Sequence, residues 1–224
     1  SFPTRRSSDL ERPLDTQLAM MASASVTQNL NQIISDMDDS RAWCWIVGDD
    51  HCWEPDCLMR LLQVMDDNPN IDILVPLVTK RNPPWHLVLF ESTGITDDHG
   101  LPTWRPLNWD EIPDTGAFPV DAAGSAGMLI RRHVLDEMGY PWFESTGGVI
   151  LNEDVHFCIK ARALGASIYA TADVVMGHMG IFNVRPIRKG DRWGALTEFA
   201  SPEQQFRHIF MPDVNPEDLV VHGR

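Results

Sequence analysis

The sequence predicts an α/β domain whose central sheet is mostly parallel and flanked by helices, with a small antiparallel part. Three observations carry that expectation. The run "AWCWIV" is short, β-branched and aromatic, and it stops at Gly48, as a buried strand does where it surfaces. "PDCLMRLLQVMDDNPN" then sets Leu58, Leu61, Leu62 and Met65 at helical spacing, with Pro55 suited to a first turn and Asn68-Pro69 as a stop. "IDILVPLV" is a second buried run, ending at Lys80-Arg81. Strand, helix and strand at this spacing form a βαβ unit, and such a crossover joins parallel strands.

The remaining elements follow in chain order. Residues 1–10, "SFPTRRSSDL", match nothing around them and resemble a translated adapter, so they are set apart from the fold. "LDTQLAMMASA" carries Leu14, Leu18 and Met21 at helical spacing, and "SVTQNLNQIISDM" does the same with Leu30, Ile33 and Ile34, so two helices are expected before the first strand. From Asn82 to Pro119 the pattern weakens into short antiparallel strands and loops, "HLVLFES" being the best strand. "DAAGSAGMLIRRHVLDEMG" gives a glycine-punctuated turn, an apolar segment Met128 to Ile130 and a short helix ending at Gly139. "NEDVHFCIKARALG" is the clearest helix, with Asn152 as cap, Val155, Ile159 and Leu164 on a face and Gly165 as stop. "ASIYA" and "DVVMGHMG" read as strands, and "RPIRKGDRWG" opens a polar tail.

Composition narrows the function. With 224 residues, 43% of them hydrophobic, the chain can bury one sizeable core. Thirty-two acidic against 18 basic residues give a formal charge of -14, which repels nucleic acid, so any anionic ligand must be small and met by a local cation. No run of about 18 apolar residues and no apolar leader is found, so a cytoplasmic protein without a membrane-spanning segment is expected. Cys44, Cys52, Cys57 and Cys158 fit neither a Cys-x-x-Cys pair nor a dense disulfide framework and read as reduced thiols; a metal cluster of His51 with Cys52 and Cys57 is the weaker alternative.

Two groups carry chemistry. Asp49, Asp50 and His51 stand at a strand's carboxyl end and suit a divalent cation facing a diphosphate, although Asp49 or Asp50 capping the next helix explains the triplet equally well. Glu153 and Asp154 open a helix, and His178 follows an apolar strand.

Taken together, "WIVGDDHCWEPDCLMRLL", "DILVPLVTKRNPP", "DAAGSAGMLIRRHVLDEMGYPWFES", "NEDVHFCIKARALG" and "VVMGHMG" occur in the order seen in family 2-like glycosyltransferases, which the chain resembles over roughly Pro13 to Gly180. The resemblance implies a GT-A fold, with a Rossmann-like, mostly parallel sheet, over residues 11–184, followed by the polar tail 185–224. It implies transfer of a sugar from a nucleoside diphosphate sugar to an acceptor that the sequence does not identify, with inversion. Asp50, His51 and His178 would hold Mn²⁺ or Mg²⁺, the imidazoles favouring Mn²⁺ slightly. Asp49 would hold the donor ribose or support the metal shell, and Asp154 would be the base, with Glu153 beside it at the acceptor.

Arg81, Gly124, Gly127, Arg188 and Lys189 are assigned to the donor. The glycines of "GSAG" would let backbone N–H groups approach the diphosphate, and Arg185, Arg188, Lys189 and Arg192 form a basic loop able to close over it. Without the resemblance the former is a turn and the latter a solvated loop. Trp142 would stack on an acceptor sugar, a partly buried core position being the alternative. Two other functions are compatible with the same residues: a metal-dependent phosphoester hydrolase, and a non-catalytic carbohydrate-binding domain. A GT-A domain normally opens with an apolar strand. Here "SFPTRRSSDL" passes straight into a loop and helix pattern, so the expected domain is truncated at its N-terminus and one edge of its central sheet lies open.

Overall fold

A computed structural model describes residues 15–21, 25–81, 85–96, 102–144, 152–179, 183–200 and 205–210. The foreign-looking segment 1–10 and the end of the tail lie outside them. Helix α1 (Val26–Ser35) is capped by Ser25, whose hydroxyl accepts from the Gln28 N–H, and it buries Leu30, Asn31 and Ile34. The helix expected around Leu18 is not found: described residues 15–21 have no regular structure, and Leu18 and Met20 are exposed. Strand β1 (Trp43–Ile46), strand β2 (His51–Cys52), helix α2 (Cys57–Asp67) and strand β3 (Ile73–Leu77) follow. Cys57, Leu61 and Met65 form the buried stripe of α2.

Beyond β3 come β4 (Leu89–Thr96), β5 (Pro102–Pro106), a 3₁₀ turn at Trp109–Glu111, β6 (Ala117–Pro119), β7 (Ala122–Ala123) and β8 (Met128–Arg131). Helix α3 (Arg132–Met138) ends at Gly139, and α4 (Glu153–Ala163) begins after Asn152, whose side chain makes no cap bond. The buried residues of α4 are Val155, Phe157, Cys158 and Ala161, while the expected face residue Leu164 is exposed, because it is the C-cap, just beyond the last helical turn. Strands β9 (Ile168–Val175), β10 (Gly177–Met179), β11 (Asn183–Lys189), β12 (Arg192–Ala200) and β13 (Gln205–Phe210) complete the described chain.

The mostly parallel sheet is overturned. The five-stranded sheet containing β1 has the order β1-β8-β3-β9-β6, and β3 with β9 is the one parallel pair among the described strands. The other sheets, β13-β12-β11-β10-β2 and β5-β4-β7, are antiparallel throughout. The physical reason lies in β8. β1 and β3 run the same way, as a crossover through α2 demands, but β8 arrives from far along the chain and pairs antiparallel with both. An apolar run reads alike whichever way its neighbour points. A second correction concerns the polar tail, since residues 183–200 form a long hairpin continued by β13. Arg188 and Lys189 therefore sit on a strand near its turn, not on a free loop.

Side-chain alternation divides the core. Ile73, Val75 and Leu77 of β3 join a cluster with Leu30, Ile34 and Phe157 on one side, whereas Leu74 joins Leu61, Met65, Leu129 and Met176 on the other. β1 ends its sheet, bonded to β8 on one edge with no strand on the other among the described residues.

Gly127 lies at the junction, with φ +73°. A Cβ there would collide with Met176 Sδ and come within 2.6 Å of Pro76 Cγ. Gly127→Ala is expected to destabilise the fold by about 2 kcal/mol or more through left-handed strain plus overpacking, read as a lower urea midpoint at unchanged slope.

Candidate functional site

Three segments converge where β1 ends. The turn Gly48–Asp50 leads into β2, which pairs with β10 so that His51 lies opposite His178. Opposed residues of an antiparallel pair project to the same face, and the two imidazoles stack with centroids 4.5 Å apart and planes inclined by 25°. Asp50 closes the group: its Oδ1 is 2.9 Å from His51 Nδ1, and its Oδ2 is 3.2 Å from His178 Nε2 and 3.3 Å from Arg81 Nη1. Gly48 leaves the space for this closure, since a Cβ would fall 2.7 Å from His51 Nδ1 and 2.9 Å from Asp50 Oδ1.

The protonation pattern follows from the partners. His178 Nδ1 is 3.0 Å from the carbonyl oxygen of Thr79, which only accepts, so Nδ1 carries a hydrogen; Nε2 faces Asp50 Oδ2 at 3.2 Å, a contact that a hydrogen on Nε2 or a bound cation would bridge. His51 Nδ1 approaches Asp50 without hydrogen-bond alignment, and both His51 ring nitrogens are buried and unpartnered. Desolvation and the neighbouring His178 lower the His51 pKa, keeping its imidazole in the neutral, ligating form. Burial would raise the Asp50 carboxyl, but His51, His178 and Arg81 outweigh it and hold its pKa below the ordinary value.

One carboxylate and two imidazoles, with donor atoms all within 4.8 Å of one another, could hold a divalent cation. The hydrogen bond from His178 Nδ1 to a backbone carbonyl is the outer support that such ligands use. The set does not include Cys52 or Cys57: Cys52 Sγ contacts Asn183 Oδ1, and Cys57 is buried on α2. Helix capping by Asp49 or Asp50 is also excluded, because Asp56 occupies the N-cap of α2. Asp49 itself is exposed.

Asp154 forms the second centre. It lies in the first turn of α4, where its Oδ1 accepts the Val155 N–H at 2.8 Å. A helix N-terminus lowers a carboxyl pKa, yet here burial dominates and pushes it up to about 6, with Glu153 raising it further and the Val155 and Ser125 backbone bonds opposing. Capping alone does not account for that environment. Hydrogen bonds tie the two centres together: Thr79 supports His178, Val78 accepts from Val88, Val88 accepts from Gly124, and a Cβ on Gly124 would lie 3.5 Å from Asp154 Oδ2.

The other expected site residues are placed differently. Gly124 and Gly127 are buried against Val88, Met176 and Pro76, where a side chain would crowd the packing. Arg188 pairs with the carboxylate and carbonyl of Asp114, and Lys189 is exposed at the far end of β11. Trp142 is partly buried against the core, with its indole N–H donating to the Leu135 carbonyl at 2.8 Å. Arg81 joins the metal-capable group. Sequence reasoning missed Thr79, which acts through its backbone carbonyl and therefore leaves no trace in residue type.

No family model and no curated protein matches the chain. Ten chains of solved structures match it, among them one described as "Crystal Structure of A197 from STIV", 12% identical, with a TM-score of 0.48 and an alignment covering 90% of this chain and 83% of that one. At that similarity neither the fold nor an activity follows from it. No helix among the described residues is long and apolar enough to cross a membrane.

Proposed function

We propose that the chain is a metal-dependent glycosyltransferase that moves a sugar from a nucleoside diphosphate sugar to an acceptor hydroxyl, with inversion. The observation that carries the reading is the three-ligand cluster of Asp50, His51 and His178, in a chain that also holds a largely desolvated carboxylate, Asp154, at the start of α4. The ordered motifs of the sequence support the same assignment.

When bound, the cation would neutralise charge on the leaving diphosphate. Arg81, already ion-paired with Asp50, would add a second positive group on the same side. Asp154 accepts the acceptor's proton while the new C–O bond forms and the anomeric carbon's bond to the diphosphate oxygen breaks. A pKa near 6 leaves this group largely ionised at neutral pH yet more basic than an ordinary aspartate. All four cysteines are unpaired, which suits the reducing cytoplasm to which this reading assigns the protein.

The test is a thermal-shift series with UDP and GDP, each with Mn²⁺ and with EDTA. A stabilisation that requires both nucleotide and Mn²⁺ is expected, because a ligand that binds only the native state raises its stability. Equal shifts in EDTA and Mn²⁺, or none with either nucleotide, would reject the metal-dependent donor site. Acceptor-dependent consumption of a nucleotide sugar separates transfer from phosphoester hydrolysis, in which water alone suffices.

A further inference from the structure

A groove away from both centres lies on the outer face of α1. Gln28, Asn29, Gln32 and Ser35 fall on one stripe of that helix, and with Met21, Asn31 and Tyr140 they line a cavity of about 340 Å³. None of these lining side chains is charged, although Gln32 Nε2 donates to the carboxylate of Asp36 at 2.9 Å beyond the end of the helix. The groove's two walls are fixed relative to one another. Asn31 Oδ1 accepts the N–H groups of Trp142 at 2.9 Å and Phe143 at 3.0 Å, while its Nδ2 donates to the Phe143 carbonyl at 2.7 Å. This buried amide clamps the segment after Tyr140 onto the helix. Tyr140 is held edge-on against Trp142, with centroids 5.7 Å apart, and still exposes 74% of its surface. Asn29 Oδ1 is buried with no hydrogen-bond partner among the described residues.

We propose that this groove binds a neutral oligosaccharide. Carboxamides offer a donor and an acceptor side by side, the complement of vicinal hydroxyls, and a supported aromatic ring covers the apolar C–H face of a pyranose. Absence of charge keeps the desolvation cost low and disfavours phosphorylated or uronic ligands. The volume lies at the small end of the range for ligand sites, about 300–1,000 Å³, which matches one or two sugar units of a longer chain lying across the helix. The site uses none of the metal-capable residues and stands whether or not the transferase reading holds.

The test is calorimetric titration of the full chain with cellohexaose, maltohexaose, mannohexaose and chitohexaose, with a galacturonate hexamer as the anionic comparison. Saturable millimolar or tighter binding of at least one neutral hexamer is expected, unchanged by EDTA and weakened at least tenfold by Tyr140→Ala and several-fold by Gln28→Ala. Both side chains are exposed, so their removal leaves the core intact, and circular dichroism confirms it. Four outcomes would overturn the proposal: no binding of any neutral hexamer up to solubility, preference for the galacturonate hexamer, loss of binding in EDTA, or full affinity in both variants.

Discussion

Asp154→Asn is expected to lower the rate of sugar transfer by about 10²- to 10⁴-fold while leaving nucleoside diphosphate affinity within a factor of about two, because the amide keeps the shape of the side chain but cannot take a proton. In the parent, kcat/KM should fall about tenfold per pH unit below about 6, where the carboxyl becomes protonated, and that limb should vanish from the residual activity of the variant. Stability moves in the opposite direction. The folded-state pKa is raised above the ordinary 3.8, so ionising Asp154 costs folding free energy that grows as pH rises from about 4 to about 6 and is constant above. A shift of about two units corresponds to about 3 kcal/mol, an upper limit for the gain in stability of Asp154→Asn at pH 7. A slower but more stable variant identifies a functional carboxylate. Full activity would move the base to Glu153, and a loss of stability would return Asp154 to helix capping.

Asp50→Asn is expected to weaken Mn²⁺ binding by at least about 10²-fold with the fold intact, since it removes the cluster's one negative charge. Isothermal titration at pH 7 reads this directly. In the parent the affinity should also decline as pH falls below about 6.5, because ligating imidazoles must shed their protons, with the lowered His51 pKa extending binding to somewhat lower pH than an ordinary histidine pair would. An unchanged Mn²⁺ affinity in Asp50→Asn would mean that the three residues form a hydrogen-bonded network alone. In that case His178 Nε2 bears a proton and the Asp50–His178 contact is an ordinary charge-assisted bond.

Several elements were legible in the chain because local chemistry decides them. The breaks at Gly48, Asn68 and Gly139 and the periodicities of "NLNQII", "LMRLL" and "ILV" depend on a residue's own neighbours, and β1, α1, α2, β3 and α3 appear where those signals stand. Asp50, His51 and His178 were legible as ligand types, and Asp154 as an acid at a helix start. The helix around Leu18 was misread: spacing of three apolar residues carries no helix unless something covers that face, and here nothing among the described residues does.

What the sequence by itself determined is therefore the inventory: which runs are buried, where they stop, and which acids and imidazoles are on hand. Tertiary structure decided how they are arranged. Strand direction depends on a partner far along the chain, so the insertion of β8 between β1 and β3, with β6 antiparallel to β9, turned the expected parallel sheet into a largely antiparallel one. The same holds for the centre. His51 and His178 become neighbours through the β2–β10 register, and Asp154 acquires its raised pKa from burial beside Gly124 and Ser125. Gly124, Gly127 and Trp142 were drawn into the core instead, because a small residue or an indole serves packing as readily as a ligand, and only the atoms around it determine which.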